Sequence, residues 1–243
     1  MKKPNAFTLA EVLITLAIMG VLMAITIPVL LQNTFNNSYI DGLKKTYSVL
    51  NQATNQIMMQ NSGTMQYAFS SSTDAQTKYG NVLELNATCA AGANTGTCWA
   101  NSSNGLFGGA ALTSGSLAAG TGFTPNTGYT GAVLADGTTL LFYIPNTACD
   151  GTGVSVNLPY SSDPNHLCGY IIVDVNGLNP PNIFGKDMFM FLLGPGGIIP
   201  GGDPHTIYSP LNSTGNCNTT NKTQNGYGCA AQILNAQAMN FST

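Results

Sequence analysis

The feature that most constrains this chain is a 25-residue stretch near its start, Phe7 to Leu31, with a single charged side chain, Glu11. As an α-helix the stretch is roughly 37 Å long at 1.5 Å per residue. The part after the glutamate, Val12 to Leu31, covers about 30 Å, one hydrocarbon thickness of a bilayer. Lys2 and Lys3 precede it, and a basic flank favours the cytoplasm for that end, with the rest of the chain outside. A cleavable secretory signal has an apolar core of about 7–15 residues that ends at a small-x-small site. The present run is longer and contains a carboxylate. A plain membrane anchor has no use for Glu11, because ionisable groups within a bilayer are costly and usually have a partner.

One arrangement supplies that partner. If the chain is cut between Ala6 and Phe7, the new α-amine is a cation at the head of the helix. Glu11 is then the fifth residue, about one turn along. Its charge suits the positive end of the helix dipole. It can also meet an α-amine, its own or that of a neighbouring subunit. Such a pair is costly to bury and more costly to break, so it acts as a register mark during assembly.

The segment KKPNA-FTLAEVLITLAIMGVLMAITIP resembles the prepilin leader of type IV pilins and of the pseudopilins of type II secretion. That family joins a short basic leader to a small residue, then Phe-Thr-Leu-x-Glu and a long apolar helix. Here those positions are Ala6, Phe7, Thr8, Leu9 and Glu11, and Pro28 falls at the family's customary helix-interrupting place. Alanine stands before the cut where glycine is usual, and it is nearly as small. The resemblance implies cleavage by a prepilin peptidase and N-methylation of Phe7. It also implies residence in the inner membrane before assembly, and partners in a pilus or secretion platform protein and in other pilin or pseudopilin subunits.

The organisation expected from the chain is a leader at 1–6, a transmembrane or filament-core helix at 7–31 and its amphipathic continuation at 32–61. A head outside the cytoplasm follows at 64–243. Pro28 removes an amide hydrogen and crowds the carbonyl at Ala24, which kinks or loosens a helix without stopping it. Beyond it Tyr39 or Ile40, Leu43, Tyr47, Leu50, Thr54 and Ile57 recur every three or four residues, and Ser62-Gly63 ends the pattern. The fold class is α+β: a long N-terminal helix on an antiparallel sheet, with the pilin-like head topology resting on the resemblance alone. Asp136-Gly137 between apolar runs marks a hairpin. Further strands are expected at 169–175 and 188–193, and a short terminal helix at 229–239.

Charged residues make up only 7% of the chain, none of them arginine, and the net charge is −3. This is no footprint for nucleic acid. The cysteines Cys89, Cys98, Cys149, Cys168, Cys217 and Cys229 form no C-x-x-C pair. An even count in a polar, glycine-rich region fits disulfides made outside the cytoplasm. Of the 15 possible pairings, neighbour bridges 89–98, 149–168 and 217–229 are the simplest set, each closing a short loop.

The stretch from Ile172 through Asp174-Val-Asn176-Gly to Gly185-Lys-Asp187 also resembles a segment of these filament subunits, whose pseudopilin heads bind calcium on such a loop. Asp174, Asn176 and Asp187 are hard oxygen donors of the right kind. Asp-x-Asn-Gly equally favours a turn without any metal. No hydrolase elbow or phosphate loop occurs, so the expectation is a non-enzymatic structural subunit. The alternative is a membrane-tethered surface-binding or adhesion protein that does not polymerise.

Overall fold

The computed structural model describes residues 8–100, 128–150, 167–203, 226–236 and 239. The chain divides into two compact units, Met1–Ser38 and Tyr39–Thr243. Helix α1, Leu9–Gln60, contributes to both and continues through Pro28. It stops where the sequence signals a stop. Ser62 adopts φ +58° and the Gly63 amide returns to the Met58 carbonyl at 2.8 Å, a left-handed C-terminal cap.

The second unit is a six-stranded antiparallel sheet in simple chain order: β1 Leu85–Cys89, β2 Thr130–Leu134, β3 Thr139–Tyr143, β4 Gly169–Asp174, β5 Met188–Gly194 and β6 Gly197–Pro200. Helices α2, Ser72–Gly80, and α3, Cys229–Ala236, complete it. The β2–β3 turn is built as the sequence predicts. Gly137 takes φ +91°, and Asp136 Oδ1 accepts the Thr138 amide at 3.0 Å. Three elements were not expected. Helix α2 has the capping pattern Ser71-x-x-Asp74, with Ser71 Oγ accepting the Asp74 amide at 3.1 Å and Asp74 Oδ2 accepting the Ser70 amide at 2.8 Å. Strand β1 is short and half-exposed, and β6 follows β5 through Pro195-Gly196.

Alternation along the strands divides the core in two. Leu140, Phe142, Ile171, Val173, Phe189, Phe191 and Leu193 face the helices, where Ile40, Leu43, Leu50, Ala53 and Ile57 of α1 form the matching stripe. Tyr47 stacks on Phe191 with centroids 5.7 Å apart. Within this layer Thr54 Oγ1 lies 2.6 Å from the Tyr79 hydroxyl, joining α1 to α2. The intervening strand residues, Leu141, Tyr170, Ile172, Met188, Met190 and Leu192, build a second core with Trp99, Tyr129, Phe184 and Tyr227 from the connections. Both faces of β4 and β5 are therefore buried. Antiparallel sheets often leave one face wet; here β4 and β5 are covered on both.

Cys89 is bonded to Cys98 and Cys149 to Cys168. Cys229 is also disulfide-bonded, while Cys217 lies outside the described residues.

Candidate functional site

Two regions concentrate the chemistry. The first is the start of α1. Leu9–Pro28 is long and apolar enough to cross a membrane, and none of it is buried within the chain. Its large apolar side chains point outward; Leu9 alone is 81% exposed. A surface of that kind is stable only against lipid or other apolar helices. The hydroxyls along the helix are satisfied internally, Thr15 donating to the Val12 carbonyl and Thr26 to the Leu22 carbonyl, both at 3.0 Å. Without water, every polar group has to find such a partner.

Glu11 is held from the same chain. Its Oε2 accepts the Thr8 amide at 2.8 Å and the Thr8 hydroxyl at 2.8 Å, while the Glu11 amide donates to Thr8 Oγ1 at 3.3 Å. Thr8-x-x-Glu11 is a capping box, in which the side chains at the helix start satisfy each other's backbone donors. The motif is plain in the sequence, but reading Glu11 for its charge alone, at the helix dipole and as a register mark, passed over it. Ala6 and Phe7, where cleavage is expected, lie outside the described residues.

The second region is the β4–β5 connection. Asp174 ends β4 and Asp187 precedes β5, and the two are 1% and 0% exposed. The structure brings them together with Asn176 and with Tyr39 of α1, whose hydroxyl senses both carboxylates. Asp187 accepts the Asn182 amide at 2.7 Å on Oδ2 and the Ile183 amide at 2.6 Å on Oδ1. Asp174 accepts the Asn176 amide at 3.3 Å. Burial, with the charge of Asp187 added, holds the Asp174 carboxyl well above its ordinary value, and burial raises Asp187 as well. The Asn176 amide nitrogen donates to the Pro180 carbonyl at 3.1 Å, leaving Oδ1 buried with no donor. Two crowded carboxylates and an open amide oxygen suit a hard cation in donor type. Among the described residues, however, no three His, Cys, Asp or Glu side chains converge on one point. The turn reading is realised: Gly177 takes φ +70° and its amide reaches the Asp174 carbonyl.

Residues 1–27 match the prokaryotic N-terminal methylation motif. No curated protein matches the chain, and no solved structure does. The chain thus carries a type IV pilin-like signal at the head of an apolar helix, followed by a disulfide-bonded α+β unit.

Proposed function

We propose that the chain is a structural subunit of a type IV pilus or a type II secretion pseudopilus, and not an enzyme. The observation that carries this reading is the methylation motif over residues 1–27, which takes in nearly all of the membrane-length helix Leu9–Pro28. The precursor sits once across the inner membrane with residues 64–243 in the periplasm. A prepilin peptidase removes residues 1–6 and the Phe7 amine is methylated. A platform protein then feeds the subunit into a filament with other pilin or pseudopilin subunits, on the cell surface or within the periplasm. There the exposed apolar side chains of α1 exchange lipid for neighbouring helices, Glu11 sets register against an α-amine, and Pro28 loosens the helix.

On the same reading, Asp174, Asp187 and the side-chain oxygen of Asn176 would hold calcium in the head. The ion would neutralise two buried carboxylates and so stiffen the β4–β5 connection. The test of function is mass spectrometry of the mature chain from the envelope. A methylated N-terminus at Phe7 is expected. A chain that keeps Met1, or is cut near residue 30, refutes the proposal.

A further inference from the structure

Strand β1 carries a motif on its outward side that neither the helix nor the core uses. Asn-x-Ser/Thr triplets are the acceptor pattern for N-linked sugars outside the cytoplasm. Two of those in the sequence fall among the described residues, at Asn36 and at Asn86. Asn36-Asn37-Ser38 lies inside α1, where residues two apart do not face the same way. Asn86-Ala87-Thr88 lies in β1. We propose that Asn86 is the acceptor of an N-linked oligosaccharide, transferred from an isoprenoid-diphosphate carrier, with Glu84 and Thr88 as the flanking residues that the transferase reads. The proposal rests on the head lying outside the cytoplasm, as in the reading above, and on no step of assembly.

The strand presents the triplet in a form an enzyme can take up. β1 is at the edge of the sheet, with β2 its one neighbour, so its other side can be approached without opening the sheet. The pairing shifts between Leu85, opposite Leu134, and Ala87, opposite Val133, which makes Asn86 the extra residue of a bulge. Glu84, Asn86 and Thr88 are exposed while Leu85 and Ala87 are half-buried, and Leu85 packs on the helix-side core. The alternation of an extended chain thus offers the three side chains together. Among the described residues, the Asn86 amide and the Thr88 hydroxyl make no hydrogen bond and the Glu84 carboxylate makes no ion pair. No other such triplet in the chain has an acidic residue two places before its asparagine, and a carboxylate there is a handle for a basic group in the enzyme.

An amide nitrogen is a poor nucleophile because its lone pair is shared with the carbonyl, and a side chain free of contacts can be turned out of that conjugation. Nδ2 of Asn86 then bonds to C1 of the sugar as the C1–O bond to the diphosphate breaks. The electron pair leaves on the diphosphate, one Nδ2 proton passes to a base of the transferase, and nothing is oxidised or reduced. The carrier is a membrane lipid, so donor and acceptor share the membrane that Leu9–Pro28 is long enough to cross. The sugar also serves the fold. Open edge strands invite pairing with other chains unless lysine, proline or a cover blocks them, and β1, Leu-Asn-Ala-Thr-Cys, has neither residue. A glycan on Asn86 is such a cover.

The test is made on the full chain purified from the envelope of the cells that produce it. Peptic peptides are read by mass spectrometry with electron-transfer fragmentation, which places a labile group on one side chain. The wild-type peptide holding Asn86 should carry a sugar mass on that asparagine. Asn86→Gln and Thr88→Ala should lose the mass, Thr88→Ser should keep it, and Glu84→Gln should carry it on a smaller fraction of chains. A bare Asn86 in the wild-type chain overturns the proposal, and so does a sugar placed on a neighbouring hydroxyl or one that survives in Asn86→Gln. Undiminished occupancy in Glu84→Gln overturns the part given to Glu84. The same digest reads the amino terminus, which keeps the two readings apart. A methylated Phe7 beside a bare Asn86 overturns the glycan alone, whereas a glycosylated Asn86 on a chain that keeps Met1 overturns the subunit reading alone.

Discussion

Docking of α1 onto the sheet rests on a small number of large side chains, and Phe191 is the one to remove. It has no exposed surface, lies in β5 between β4 and β6, and carries the stack with Tyr47 at 5.7 Å and 7° between ring planes. Phe191→Ala loses the transfer energy of a whole buried ring and opens a cavity in a layer whose strand neighbours, such as Ile171, are equally buried. The expected loss is about 3–5 kcal/mol, of which roughly 0.5–1.5 belongs to the aromatic pair. A domain of this size has about 5–15 kcal/mol in total, so the variant should fold with a much lower midpoint.

Phe191→Leu keeps most of the volume and should cost no more than about 1.5 kcal/mol. The assay is urea unfolding of the detergent-solubilised chain, followed by the fluorescence of Trp99. That residue is the only tryptophan and sits in the second core, on the other side of the sheet. Its signal therefore reports loss of the whole sheet and not local loosening at position 191. A loss below about 1 kcal/mol for the alanine variant would refute the docking argument, because it lies outside the range for a buried phenylalanine. Equal losses for alanine and leucine would do the same, by showing that ring volume is not what matters.

Folding raises the pKa of both Asp174 and Asp187, so in that range the native chain binds protons that the unfolded chain has released. Stability should then fall as pH rises from the ordinary carboxylate value of about 3.9 through the raised folded values. In chelator, urea midpoints should show this slope; Asp174→Asn should flatten it, and an unchanged slope would sink the assignment. Calcium should raise the wild-type midpoint and leave that of Asp187→Asn unmoved; an equal rise in both would place any binding elsewhere. The bridge Cys149–Cys168 spans 19 residues and Cys89–Cys98 spans 9. Replacing each pair by alanine should therefore cost about 3 and about 2.5 kcal/mol respectively. A clearly larger loss from the shorter bridge contradicts the loop-entropy account.

What could be read from the chain and what could not follow one division. Period and punctuation are local, so the stripe from Ile40 to Ile57, the Ser62-Gly63 stop and the Asp136-Gly137 turn could all be read from short windows. The second core could not. Trp99, Tyr129, Phe184 and Tyr227 each stand in a connection rich in small polar residues. Only the sheet order, which puts β2 to β5 side by side, gathers them over one face. Helix α2 is the instructive middle case. Its apolar content is slight, yet Ser71-x-x-Asp74 is a legible start, and a reading that weighed caps as heavily as periodicity would have found it. The same neglect hid the Thr8–Glu11 box. A charge in an apolar run draws attention to a distant partner, while the nearer one is a neutral hydroxyl three residues back. In a membrane helix the nearer partner has to come first. Without water, a carboxylate needs a donor from its own turn before a more distant partner can count.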